Sequence, residues 1–320
     1  MPNGFFPLLI AVAADALLGD PPTWPHFVRW LGRLISWLEG LARGIFHSPE
    51  GLRLAGFLLV AAVVGGGALG CWLALKLARA FFEPLGFLLA TAVSFQCLAA
   101  GQLWREARSV AQPLEAGDLD LARQRLGLIV GRDTAALDEA GVRRAVIETV
   151  AENFNDGVVA PLFYLALGGP VLGVAYKAVN TLDSMVGYKN EKYADLGLAA
   201  ARLDDLAGWA PARLSALLMA LASPLVGLSA DRAWRAALSD HAAHKSPNSG
   251  WPEAAAAGAL GVKLGGPNFY NGRLVKKPWI NPQGRQPEAA DSRSSLDLLA
   301  AAAALASALA LLVALARRGL

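Results

Sequence analysis

Residues 54–75 read LAGFLLVAAVVGGGALGCWLAL, without one charged side chain. A helix needs about 20 apolar residues to cross a hydrocarbon core roughly 30 Å thick, and this stretch is long enough. Residues 85–103, LGFLLATAVSFQCLAAGQL, repeat the pattern. Residues 157–176 are also uncharged, but Pro161 and Gly168-Gly169-Pro170 interrupt them. Residues 209–228 carry only Arg213, and 298–316 form an Ala/Leu run closed by Arg317-Arg318. A sixth run, 4–18, is marginal in length and holds Asp15. It lacks the basic start of a secretory signal and reads as a retained membrane-associated segment.

The whole chain agrees with its parts. Of 320 residues 55% are hydrophobic and only 17% charged, with mean hydropathy +0.39; soluble chains carry about a quarter charged residues. This excludes a disordered chain. A net charge of +3 excludes a strongly basic nucleic-acid binder. Two cysteines inside apolar runs, Cys71 and Cys97, exclude a disulfide scaffold.

Alternation of the spans puts 19–53, 104–156 and 229–295 on one face. Those segments hold 20 of the 29 Lys and Arg residues, so the positive-inside bias makes that face cytoplasmic. The expected fold is all-α: a multi-pass integral membrane protein with about five transmembrane or re-entrant helices and cytoplasmic helical loops. Residues 1–320 are read as a single membrane domain without a sheet of note. Within it, 104–156 is helical, with a long helix over about 134–154 capped by Thr134 or Asp133. Segment 229–295 is an irregular cap rich in turn dipeptides, with a helix over 252–264.

Polar residues crowd the edges of the apolar runs. In a helix, Glu148, Glu152 and Asp156 are spaced i, i+4, i+8 and share a face. Such a stripe, flanked by Asn153 and Asn155, either holds Mg²⁺ through oxygen ligands or is a solvated face. Further on, Asn180, Asp183 and Ser184 share a face, followed by Lys189, Lys192 and Tyr193. An ionisable group at that depth is functional by default, and the two lysines suit a phosphate; an ordinary polar connector is the other reading. Around Asp15, Asp20, His26 and Arg29 the proline-rich turn suits a binding edge and a plain helix stop equally. Asn248, Ser249-Gly250 and Glu253 open a helix, a plausible anion site. His241 and His244 read as surface histidines rather than as a metal pair. Walker, dinucleotide, H-E-x-x-H and G-x-S-x-G motifs are absent.

Four stretches carry a resemblance: LLGDPPTWPHFVRWLG (17–32), GRDTAALDEAGVRRAVIETVAENFNDGVVAPLFY (131–164), AYKAVNTLDSMVGYKNEKYADLGLAAARLDDLAGWAPARL (175–214) and HKSPNSGWPEAAAAGALGVKLGGPNFYNG (244–272). Together they make the chain similar to the cobinamide-phosphate synthases of cobalamin biosynthesis, the CbiB/CobD membrane family. The resemblance implies an acid–amine ligase of the cell inner membrane. It would join adenosylcobyric acid to (R)-1-aminopropan-2-yl phosphate or ethanolamine phosphate, using ATP and Mg²⁺. The cobalt enters with the corrinoid substrate, and no nucleic acid is involved. The alternatives are a non-enzymatic AmpE-like signalling protein and an ion-coupled transporter built around the broken helix.

On that reading Glu152, Asp156, Asp183 and Lys189 are the expected catalytic residues, with Glu148, Glu152 and Asp156 around the metal. Substrate contacts are expected from Asp15, Asp20, His26, Arg29, Arg132, Asn153, Asn155, Asn180, Tyr193, Asn248 and Glu253. One conflict arises: simple alternation puts 179–208 outside, whereas the substrates are cytoplasmic. Two re-entrant segments, 157–176 and 209–228, or a site reaching into the membrane, would resolve it.

Overall fold

The computed structural model describes residues 4–21, 24–270 and 272–317. Pro22 and Thr23 of the proline turn, Asn271 of the Asn-Gly turn and Arg318 of the closing pair lie outside them. The helices, in chain order, are α1 (Phe5–Leu18), α2 (Phe27–Ile45), α3 (Pro49–Val60), α4 (Gly66–Phe81), α5 (Glu83–Cys97), α6 (Ala100–Glu115), α7 (Leu119–Leu126), α8 (Glu139–Phe154) and α9 (Ala160–Val186). They continue as α10 (Leu198–Ala207), α11 (Trp209–Ala222), α12 (Ala230–Asp240), α13 (Gly250–Leu260) and α14 (Ala289–Ala316).

Among the described residues, five helical stretches are long and apolar enough to cross a membrane: Pro49–Phe81, Glu83–Glu115, Glu139–Val186, Trp209–Val226 and Ala289–Ala316. Each contains most or all of one expected span, and the protein is a helical membrane protein. Helix α1, with 14 residues, is too short to count among them. Gly169 breaks α9 at φ 65°, ψ −158°, immediately before Pro170. An L-residue there would be strained, and the proline removes an amide from the ladder. Cys71 and Cys97 are free thiols.

Three local expectations need correction. The long helix starts at Glu139 rather than near Thr134, because Asp138 accepts the Gly141 amide at 2.7 Å and caps it. Asp133 instead accepts from the Gly272 amide at 2.7 Å. Helix α13 ends at Leu260, where Gly261 takes a left-handed conformation. After it come β1 (Leu264–Gly265), β2 (Asn268–Tyr270), β3 (Arg273–Val275) and β4 (Trp279–Ile280). They pair antiparallel as β1–β4 and β2–β3, with Gly265 opposite Trp279 and Phe269 opposite Leu274. The cap is therefore not without sheet, although both pairs are short.

The chain divides into two compact units. The first comprises Met1–Ala99, Ala160–Gly208 and Leu309–Leu320. Its core gathers Leu31 and Ile35 of α2, Leu59 of α3, Val63, Ala178, Leu182 and Val186 of α9, and Ala200 of α10. The second comprises Ala100–Val159 and Trp209–Ala308. At its centre α13 is buried along most of its length, packed on α8, α11 and α12. A Cβ at Gly258 would lie 2.3 Å from the Arg232 carbonyl oxygen, so only glycine allows α12 to approach that closely.

Candidate functional site

Within the second unit, α8 and the start of α13 bring carboxylates into an apolar interior. Glu148 and Glu253 are 5% and 4% exposed. Burying such groups is costly unless donors surround them. Glu148 has two: Arg132 Nη2 donates to its Oε2, and the Gly265 amide donates to its Oε1 at 2.6 Å. Arg132 also reaches Asn268 Oδ1 at 3.4 Å, and Asn268 Nδ2 donates to the Gly266 carbonyl at 3.2 Å. The turn at Gly265-Gly266, both at positive φ, thus places an amide and an asparagine against the ion pair.

One helical turn along α8, Glu152 Oε1 accepts from Ser249 Oγ at 3.2 Å. The anion expected at Ser249-Gly250 is thus partly supplied by the protein itself. Glu253 follows on the first turn of α13, with His244 Nε2 3.7 Å from its Oε1. His244 Nδ1 accepts the Ser246 amide at 3.0 Å. In the neutral ring that leaves the proton on Nε2, facing Glu253. Lys277 Nζ donates to the Tyr270 hydroxyl at 2.7 Å.

The electrostatics follow from this crowding. Burial pushes the Glu253 carboxyl well above the usual carboxylate range, and repulsion from Glu152 and Glu148 adds to the rise against Lys277 and Arg132. Burial likewise holds His244 below its usual value, against the pull of Glu152. Burial opposes the Arg132 charge, but Glu148 outweighs it and holds the guanidinium above its usual range. The cluster therefore offers a carboxyl that holds its proton more tightly than usual, an imidazole held toward its neutral form, and the Arg132 and Lys277 cations. That set can accept or give a proton and hold phosphoryl oxygens.

The expected residues sort by unit. Arg132, Glu148, Glu152 and Glu253 belong to this cluster, and Asn248, 4% exposed, lies on its Ser246 turn with its amide 3.2 Å from Ser246 Oγ. Asn153 Nδ2 is turned back to the Thr149 carbonyl at 3.0 Å. Asp156 falls in a π-helical turn, Asn155–Val159, whose extra residue per turn breaks the strict i, i+4, i+8 stripe. Its Oδ1 accepts from Asn155 Nδ2 at 2.7 Å, and Asn155 Oδ1 accepts from Ser215 Oγ at 3.1 Å. Among the described residues no group of three His, Cys, Asp or Glu side chains is arranged to hold a metal. The expected triad of Glu148, Glu152 and Asp156 is not built as a cage, because Glu148 is already bound on both oxygens.

Asp15, Asp20, His26, Arg29, Asn180, Asp183, Lys189 and Tyr193 belong to the first unit. Asp15 is buried in α1. His26 caps α2, its Nδ1 accepting the Val28 amide at 3.2 Å, with Asp20 Oδ2 3.7 Å from its Nε2. Arg29 is exposed on the first turn of α2. Asn180 accepts Ser184 Oγ at its carbonyl, and the Asp183 carbonyl accepts the Gly187 amide at the end of α9. Tyr193 takes a hydrogen bond from Lys192 Nζ at 2.7 Å and lies under the Arg43 guanidinium; Lys189 is exposed.

His244, Asn268, Tyr270 and Lys277 are members of the cluster that sequence reasoning did not assign; Ser249, expected at an anion site, meets Glu152 instead. His244 is half-buried, its side chain 20% exposed, with Glu253 beside it. His241 stacks on Trp251 with ring centres 4.0 Å apart. The available signal was the run 244–253, where His, Ser, Asn and Glu crowd one helix start.

A family model described as CobD/Cbib protein matches residues 8–299. The chain is 49% identical over 300 residues to the cobalamin biosynthesis protein CobD of Klebsiella pneumoniae, covering 94% of each chain. It is 48% identical over 313 residues to the CobD of Pelobacter propionicus, covering 98% of this chain and 96% of that one. The cobalamin biosynthesis protein CbiB of Salmonella typhimurium is 47% identical over 311 residues, 97% of each chain. No solved structure matches. With the match running through both units and nearly the full length of its relatives, the chain belongs to the CobD/CbiB family of cobalamin biosynthesis proteins.

Proposed function

We propose that the protein is the acid–amine ligase that joins adenosylcobyric acid to an aminoalcohol phosphate, giving adenosylcobinamide phosphate. The observation that carries this reading is the cluster of buried Glu148 and Glu253 with Glu152, Arg132, Lys277 and His244. A carboxylate is a poor acyl donor, so the substrate carboxylate oxygen attacks the terminal phosphorus of ATP and ADP leaves. The ammonium first gives up a proton, the freed amine attacks the acyl carbon, phosphate departs with the C–O electron pair, and the nitrogen loses a second proton. Arg132 and Lys277 supply positive charge for phosphoryl oxygens. Glu152 holds the ammonium and accepts its first proton, and the departing phosphate takes the second.

The donor set suits Mg²⁺, which usually takes one or two carboxylates together with water and substrate phosphate rather than a protein cage. Glu152 would hold it, beside Glu148, whose oxygens Arg132 and the Gly265 amide already take. When bound, the ion neutralises charge on the transferring phosphoryl group. The cytoplasmic placement of the reaction rests on the Lys and Arg excess in 104–156 and 229–295.

Purified protein in lipid nanodiscs, given adenosylcobyric acid, ATP, Mg²⁺ and each aminoalcohol phosphate, should yield the amide by mass spectrometry with stoichiometric ADP. Folded protein that forms no amide with either amine would overturn the reading. A cysteine at Ser246 in a Cys71/Cys97-free background should react with an impermeant thiol reagent in inverted vesicles and not in intact cells. The reverse pattern would remove the cytoplasmic placement.

A further inference from the structure

Helix α2 carries three different surfaces. Leu31 and Ile35 are buried in the core of the first unit. Trp30, Leu34, Trp37, Leu41 and Ile45, spaced three or four residues apart, form one exposed apolar stripe, with Trp30, Trp37 and Ile45 60%, 61% and 68% exposed. Arg29, Arg33 and Ser36 are exposed on the remaining flank. The helix has charges along its length and is not among the five spans. An apolar stripe of that size needs a cover.

Beside the stripe, a cavity of about 340 Å³ opens between Trp30 and Leu34 of α2, Gly66 and Gly70 of α4, and Leu89 and Val93 of α5. That volume lies within the range of small-ligand pockets, roughly 300–1,000 Å³. Its walls are almost wholly apolar, so a polar solute finds little to bond. What decides the occupant is continuity. Helices α4 and α5 are parts of two membrane-crossing stretches, and Leu69, Leu73 and Leu77 of α4 and Leu85 and Leu88 of α5 are exposed. Trp30 and Leu34 of the stripe line the cavity and join it to that hydrocarbon-facing surface.

We infer that the cavity between α2, α4 and α5 seats one acyl chain of a bilayer phospholipid. A Cβ at Gly66 or Gly70 meets no atom within 4 Å, so leucine at either position enters the cavity without displacing the fold.

The full-length protein is reconstituted in phosphatidylethanolamine/phosphatidylglycerol vesicles doped with phosphatidylglycerol bearing a mid-chain diazirine. After irradiation, lipid adducts are mapped by mass spectrometry. Adducts are expected on residues 27–34 and 66–75, reduced at least fivefold by Gly70→Leu, while adducts on 309–315 of α14 stay unchanged. Gly66→Leu provides the same test should the first variant fail to insert. Adducts on α2 and α4 that neither substitution lowers would overturn the seat. Cross-links between the α2 helices of two copies, with lipid adducts absent from the stripe, would assign the stripe to self-association and also overturn it.

Discussion

Each unit of the molecule contains a histidine facing a carboxylate at the same distance. His26 Nε2 lies 3.7 Å from Asp20, and His244 Nε2 lies 3.7 Å from Glu253. In both, Nδ1 accepts a backbone amide two residues ahead. In both, burial lowers the imidazole below its usual value. The partners differ: the Asp20 side chain is 37% exposed and that of Glu253 only 5%. Glu253 also has Glu152 and Glu148 acting on it, so its proton is retained far above the ordinary range. A motif that ends in solvent is a helix cap. The same motif enclosed with further carboxylates becomes a store for a proton.

The largest effect is expected where enclosure is most complete. Arg132→Ala leaves Glu148 buried without its cation, and loss of one partner of a buried pair costs about 3–5 kcal/mol. Thermal unfolding in nanodiscs should show that loss. A decrease under 1 kcal/mol would mean that water reaches Glu148 and that the cluster is less enclosed than described.

Next comes the contrast between the two acids. Glu253→Gln keeps the side-chain volume but removes the exchangeable carboxyl, and amide formation should fall about 10²-fold or more, with insertion unchanged. Asp20→Asn should cost less activity and under about 1 kcal/mol of stability. Equal losses of turnover would erase the distinction between cap and proton store.

A smaller effect tests the cap through pH. His26 has its pKa lowered by burial, against Asp20 and together with Lys177 and Arg29. Its unfolded form binds a proton more readily than its folded form. The stabilisation is therefore present above the ordinary value of 6.5 and is lost as pH falls from there toward the lowered folded value. Protonated Nδ1 can no longer accept the Val28 amide, and a lost cap costs about 1 kcal/mol. His26→Asn should therefore flatten the fall in melting temperature between pH 7 and 5, to about that extent. An unchanged slope would place the acid sensitivity elsewhere.

The smallest effect belongs to the fully solvated pairs. Arg235 and Asp231, 2.8 Å apart on α12 with side chains 78% and 64% exposed, should contribute about 0.3–0.5 kcal/mol, as exposed i,i+4 pairs do. Arg235→Ala measured beside Arg132→Ala gives the scale of burial within one unit. Comparable losses would remove the argument that enclosure sets the cluster apart.

The sequence by itself determined the spans, because membrane crossing depends on a property summed over contiguous residues. Runs 54–75 and 85–103 could be read off directly, as could the break at Gly169-Pro170. It also marked Glu148 and Glu152, since two acids four residues apart in a helix share a face whatever packs against them. Tertiary structure alone decided what those acids meet. Ser249 is 97 positions from Glu152, Gly265 is 117 from Glu148, and Asn268 is 136 from Arg132. No local periodicity connects residues so far apart. The π-turn at Asn155–Val159 was equally hidden, because it changes the helical register without any composition signal. His244 shows the same limit: the partial burial that lowers its pKa comes from elements the chain reaches only by folding.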